Sequence, residues 1–136
     1  VEPDYVFISN AKRYVQLASR LLSGDYKLIA TSNVTAASAG EFAYVLNYGN
    51  LIDRTTDIID NSLVMVLKSL IRIGICEVVL AGFDGYSKSE SNYYHLAMEY
   101  DFIKDKAEYL NNYTKDMIAS FGQSITIKFL TESLYE

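Results

Sequence analysis

The sequence predicts an α/β fold, a three-layer Rossmann-like domain with a mostly parallel sheet of about five strands. Short runs of β-branched and aromatic residues alternate with segments of helical period, which is typical of parallel strands joined by helices. The chain has 136 residues, of which 50% are apolar, and a single proline, so it can bury a core and has no proline-rich linker. We therefore expect residues 1–136 to form one domain.

The first half of the chain alternates strand and helix in short steps. The run YVFIS is the first predicted strand, and the helix after it is capped by Ser9 or Asn10 and ended by Gly24. YKLIATSN and FAYVLN predict the second and third strands, and VTAASAGE between them is either one helical turn or a loop. The apolar face of the first helix is predicted to hold Ala11, Tyr14, Val15, Ala18, Leu21 and Leu22, and its polar face Lys12, Arg13, Gln16, Ser19 and Arg20.

The second half repeats the pattern with longer helices. A helix is predicted over residues 60–74, with Asp60 as its cap and a glycine past its end. CEVVLAG is the fourth strand because its apolar run is continuous and ends in a glycine-rich turn. Helical spacing returns from residue 92 to about 120, as one helix or as two divided at Asn111 and Asn112, and ITIKFLT is the fifth strand.

Small hydrogen-bonding residues follow almost every predicted strand. Ligands of parallel sheets bind outside the carboxyl ends of the strands, so these residues are candidates for a binding site. The same residue types also cap helices and form turns, and the sequence leaves both interpretations open. Helix amino ends beside Asn10 and Asn61 would add main-chain N–H donors for an anionic group. The candidates are Ser9, Asn10, Thr31, Ser32, Asn33, Asn47, Asp60, Asn61, Ser62, Gly82, Asp84 and Tyr86.

The inventory of catalytic and metal-binding groups is small. His95 is the one histidine, and it is either a general base or a surface residue. Cys76, the one cysteine, is expected to be a small buried residue. Neither a G-x-G-x-x-G nor a G-K-[ST] motif occurs, so a standard dinucleotide or P-loop site is not predicted. The sequence identifies no cofactor and we predict no metal site, although a carboxylate site would suit Mg²⁺ or Ca²⁺.

Charge and composition restrict the partners. The net charge of -5 disfavours broad binding to nucleic acid or to anionic membranes. No apolar run is as long as a membrane span needs, and a single cysteine fits a reducing cytoplasm, where we expect the protein to lie. Tyrosines concentrate between residues 86 and 113, which indicates core packing or a homodimer interface.

The runs YVFISNAKRY, LIATSN, YVLNYGNLI and DNSLVMVLKSLIRIGICEVVLAGFDGYS resemble a known bacterial domain. It is the small Rossmann-like domain that follows the barrel in aldolase-like proteins, whose barrel is similar to HMG-CoA lyase and 4-hydroxy-2-oxovalerate aldolase. Such proteins are associated with cell-surface polysaccharide genes. The resemblance implies a part excised from a longer lyase, contacting its own N-terminal aldolase barrel, while this domain carries no clear catalytic set.

More distantly, GICEVVLAGFDGY is similar to bacterial sialyltransferases that use CMP-sialic acid and to archaeal-type pterin diphosphokinases. That similarity implies a nucleotide-binding crevice, with His95 as base and Asp84 positioning a sugar or ribose. The first turn departs from those enzymes, because ISNAKRY has no glycine.

We therefore expect an accessory domain that binds a nucleotide, a nucleotide-sugar or a sugar phosphate at the carboxyl edge of its sheet. A small sialyltransferase-like glycosyl or nucleotidyl transferase and a purely structural dimerisation domain are the alternatives.

Overall fold

The computed structural model describes residues 2–37, 41–88 and 101–136. These residues confirm the α/β class and the parallel pairing of strands. The chain divides into two compact units, Val1–Val66 and Leu67–Glu136. Where about five strands were expected in one sheet, the described strands form a sheet of three and a sheet of two. Each sheet is therefore described by itself.

The first unit is built on a parallel sheet of three strands, β1 (Tyr5–Ile8), β2 (Lys27–Thr31) and β3 (Tyr44–Leu46), which lie side by side in that order. Ile8 lies opposite Ala30, and Thr31 lies opposite Leu46, so the carboxyl ends of the three strands meet at one edge. The segment between β2 and β3, left open by the sequence, contains a short helix. The elements are β1 (Tyr5–Ile8), α1 (Ala11–Leu21), β2 (Lys27–Thr31), α2 (Ser32–Ala37), β3 (Tyr44–Leu46), a 3-10 turn (Tyr48–Asn50) and the start of α3 (Ser62–Arg72).

One face of this sheet forms the core of the first unit. Alternate strand residues such as Leu28 and Ala30 pack against Tyr14 and Leu21 of α1 and Val34 of α2. These side chains are at most 8% exposed. Removing them from water supplies the main driving force for folding of this unit.

The buried face of α1 is rotated from the predicted one. Val15 and Leu22 are 66% and 61% exposed, so their predicted burial is wrong, and Arg13 is buried instead. The stripe that packs is Tyr14, Leu17 and Leu21, at intervals of three and four residues. Val15 and Leu22 are seven residues apart and lie together just outside that stripe.

Gly24 does not end α1 in a left-handed conformation, contrary to expectation. The helix ends at Leu22 in the right-handed region, and Gly24 has no positive φ. A Cβ on Gly24 would instead lie 1.9 Å from the ring of Tyr26. The glycine is needed for the close approach of that ring.

α3 begins later than predicted. Its first residue is Ser62, and the Asn61 side chain caps it by accepting the Val64 N–H at 3.2 Å. Asp60, predicted as the cap, instead accepts a hydrogen bond from the Tyr48 phenol. Gly74 follows the helix with a φ of 85°, which confirms its predicted place past the helix end.

The second unit contains β4 (Glu77–Leu80), α4 (Asp101–Phe121) and β5 (Thr126–Phe129), and the two strands pair in parallel. α4 runs without a break through Asn111 and Asn112. Cys76, directly before β4, is exposed, so its expected burial is wrong. Among the described helices, none has both the length and the apolar character needed to cross a membrane.

Candidate functional site

Polar side chains form a connected network at the carboxyl edge of the three-stranded sheet. Ser9, directly after β1, is 5% exposed, and its hydroxyl oxygen lies 2.8 Å from that of Ser62. The Asn33 amide donates to the Ser9 carbonyl oxygen at 2.9 Å and accepts from the Thr31 hydroxyl at 2.5 Å. The network therefore ties the ends of β1 and β2 to the first residue of α3.

A second set of bonds at this edge joins α2 to the segment before α3. The Tyr48 main-chain N–H donates to the Ser32 hydroxyl at 3.1 Å, and the Tyr48 phenol donates to Asp60 Oδ2 at 2.8 Å. Burial, the hydrogen bond to Asp60 and the charge of Asp60 together raise the pKa of Tyr48 to about 12. The phenol is thus held as a neutral donor, and it orients the Asp60 carboxylate.

Two helix amino ends lie at this edge. Asn10 Oδ1 accepts the Arg13 N–H at 3.0 Å, and Asn61 caps α3 in the same way. Each helix amino end carries a partial positive charge and several N–H groups without partners inside the helix. Because Ser9 and Ser62 are in contact and are adjacent in sequence to Asn10 and Asn61, the two helix starts lie side by side.

Arg13 is buried, although the sequence predicts it on the polar face of α1. The residue is 8% exposed. Its Nη1 donates to Gln16 Oε1 at 2.9 Å. Its position in the first turn of the helix after β1 was the sequence feature that could have drawn attention to it. Its main chain lies in the turn that Asn10 caps, and its side chain bonds to Gln16, one turn further along the helix.

Asn47 does not join the network. It is exposed and begins the 3-10 turn without a side-chain cap bond. Its predicted part in ligand binding stays a prediction.

The loop after β4, LAGFDGYS, is fixed by the C-terminal segment of the second unit. The Gly82 N–H donates to the Thr131 hydroxyl at 2.9 Å, and the Leu134 N–H donates to the Asp84 carbonyl oxygen at 3.1 Å. Gly82 and Gly85 have φ values of 73° and 111°, which glycine adopts without strain. Turn geometry alone explains both glycines.

Asp84 and Tyr86 lie on either side of this turn in different surroundings. The Asp84 carboxylate is exposed and accepts a long hydrogen bond, 3.4 Å, from the Thr131 hydroxyl. It lines a depression shared with Glu132 and Glu136, so the local charge is negative. Tyr86 lines a separate depression with residues that include two lysines, Lys88 and Lys115, together with Glu108.

The main chain of Tyr86 is held by one side chain of α4. Asn111 Oδ1 accepts the Tyr86 N–H at 2.8 Å, and Asn111 Nδ2 donates to the Tyr86 carbonyl oxygen at 2.9 Å. The Tyr135 phenol donates to the same Asn111 oxygen at 3.1 Å. Burial raises the pKa of Tyr135, and a hydrogen bond with Thr114 offsets part of that rise. Asn111 is therefore a structural residue whose role the sequence did not indicate.

His95 lies outside the described residues, so its predicted role as a base stays a prediction. Within residues 2–37, 41–88 and 101–136, no three His, Cys, Asp or Glu side chains are grouped to hold a metal ion. No family model, no curated protein and no solved structure matches the chain.

Proposed function

We propose that the chain is a Rossmann-like binding module that holds the phosphate of a nucleotide, a nucleotide-sugar or a sugar phosphate. The binding site is the carboxyl edge of the three-stranded sheet. The observation that carries the proposal is the 2.8 Å contact between the hydroxyls of Ser9 and Ser62. It joins the end of β1 to the start of α3 and so brings two helix amino ends together.

The two helix starts at this edge favour an anion. Each presents N–H groups and a partial positive charge. These groups do not depend on a glycine-rich loop, which the sequence lacks after β1. Converging helix starts therefore take the place of that loop.

The hydroxyl pair leaves one proton available to a ligand. In the bond between Ser9 and Ser62, one hydroxyl donates and the other keeps its proton for a further acceptor. Since Ser9 is buried and Ser62 is exposed, Ser62 is the group that a phosphate oxygen can reach. The exposed Asp60 carboxylate, oriented by Tyr48, would accept hydrogen bonds from the sugar hydroxyls of the same ligand.

The other functional hypotheses have less support. No observation among the described residues favours a transferase, because Asp84 is exposed beside other carboxylates and His95 is not described. The association with an aldolase barrel, and hence with a lyase of polysaccharide metabolism, stays a prediction, as does a homodimer.

The test is ligand binding by the whole chain and by variants of Ser62. CMP, CDP, UDP, representative nucleotide-sugars and inorganic pyrophosphate are assayed by thermal shift and calorimetry. Ser62→Asp places a carboxylate at the phosphate position, and we expect affinity to fall by about tenfold or more. An acidic residue in the first turn of a helix stabilises it, so this variant should fold as well as the parent chain.

The control is Ser23→Ala, which removes an exposed hydroxyl of the same unit that donates to the Arg20 carbonyl oxygen at 3.0 Å. It should leave affinity unchanged. The proposal is wrong if none of these ligands binds, or if Ser62→Asp binds them as tightly as the parent chain.

A further inference from the structure

The first unit has a depression at the amino edge of its sheet, opposite the edge described above. Its volume is about 470 Å³, and Asp4, Tyr5, Asp25, Tyr26 and Lys27 line it. Tyr5 and Lys27 are the first residues of β1 and β2 and lie opposite each other in the sheet. The Lys27 N–H donates to the Asp4 carbonyl oxygen at 3.0 Å, which fixes the edge of the depression.

Aromatic surface is exposed at this edge. Tyr5 is 50% exposed, and Tyr44 at the start of β3 is 53% exposed. Their ring centroids are 6.5 Å apart, and Lys27 Nζ lies 5.9 Å from the centroid of Tyr5. Flat apolar surface of this kind is costly to hydrate and favours a ligand with an apolar face.

Tyr26 is held in a fixed orientation beside these residues. Its phenol donates to the Arg20 carbonyl oxygen at 3.0 Å, and its ring fills the space where a side chain on Gly24 would begin. A ring fixed at both ends loses little conformational entropy when a ligand packs against it. The depression is therefore preformed on this side.

The polar groups of the depression include both hydrogen-bond acceptors and a donor. Asp4 and Asp25 are exposed carboxylates, and Lys27 is an exposed ammonium group. Two carboxylates repel an anionic ligand, while Lys27 disfavours a simple cation. A neutral ligand with several hydroxyls satisfies both kinds of group at once.

We propose that this depression binds a neutral sugar ring. The C–H face of a pyranose would pack on the exposed tyrosine surface, and its hydroxyls would donate to Asp4 and Asp25 and accept from Lys27. The volume is within the range of small-molecule sites and is ample for one ring. This site is independent of the phosphate site, because it lies at the other end of the same strands.

The experiment follows backbone amide resonances of the isotope-labelled chain during titration with methyl glucoside, methyl galactoside and methyl mannoside. We expect shifts at Tyr5 and Lys27 with at least one sugar, at millimolar concentrations. Tyr5→Leu removes the ring and should weaken binding by about fivefold to tenfold, whereas Tyr5→Phe keeps the ring and should bind nearly as the parent chain does. Tyr109→Leu removes a tyrosine of α4 that is 43% exposed, and it serves as the matched control.

Three outcomes would overturn the proposal. The first is that no sugar shifts these resonances, and the second is that Tyr5→Leu behaves as Tyr109→Leu does. The third is that lysine methyl ester binds here in place of the sugars and its binding is lost in Asp25→Asn, which would assign the site to a cation. None of these outcomes bears on nucleotide binding at Ser62, which is measured separately.

Discussion

Replacing Gly85 by alanine tests the structure of the loop after β4. Gly85 has a φ of 111°, and a Cβ there would lie 2.7 Å from Leu134 Cδ1 and 3.2 Å from Leu134 Cβ. Gly82 in the same loop has a φ of 73°, but a Cβ there would have no neighbour within 4 Å. Gly82→Ala therefore measures backbone strain alone, while Gly85→Ala measures strain and a steric clash.

The expected losses in the free energy of unfolding follow from the backbone strain and from the steric clash. A non-glycine residue in the left-handed region costs about 1–2 kcal/mol. The clash at Gly85 adds about 1 kcal/mol, at the low end for overpacking, because Leu134 is 57% exposed and can turn away. We expect Gly82→Ala to lower the free energy of unfolding by about 1–2 kcal/mol and Gly85→Ala by about 2–3 kcal/mol.

Urea unfolding followed by circular dichroism gives these free energies, with Leu134→Ala and the double variant completing a cycle. Truncating Leu134 removes the 2.7 Å contact with Cδ1 and keeps the 3.2 Å contact with Cβ, so Gly85→Ala should cost up to about 1 kcal/mol less in that background than in the parent chain. If Gly85→Ala costs no more than Gly82→Ala and shows no coupling to Leu134, the packing described for this loop is wrong.

Two further predictions concern single side chains. Asn111→Ala removes both hydrogen bonds to the Tyr86 main chain and should lower the free energy of urea unfolding by about 2–3 kcal/mol. The control is Asn112→Ala, at the next and exposed position of α4, which should change stability little. Equal effects of the two substitutions would refute the structural role of Asn111. Burial, the hydrogen bond to Asp60 and its charge raise the pKa of Tyr48 from 10.0 to about 12, so this phenol contributes stability that is full below pH 10 and is lost as the pH rises toward 12. Tyr48→Phe should flatten that part of the stability profile, and an unchanged profile would contradict the pKa shift.

Local sequence patterns predicted most elements because their signals are local. Short runs of β-branched and aromatic residues located the five strands, and the apolar run before the glycine-rich turn placed β4 within a residue or two of its ends. The turn LAGFDGYS was also readable, since Gly82 and Gly85 supply the positive φ that it requires. The burial of Val15 and Arg13 was predicted wrongly, because it depends on how α1 is rotated against the sheet.

The candidate site could likewise be predicted only in part. Composition and local patterns were enough to predict an acidic α/β chain with parallel strands and small polar residues after the strand ends. Which of these residues meet depends on tertiary packing. Ser9 and Ser62 are 53 positions apart, and Asp60 accepts a hydrogen bond from the Tyr48 phenol and does not cap α3. Partners so distant along the chain are chosen by the packing of strands and helices, which no local period specifies.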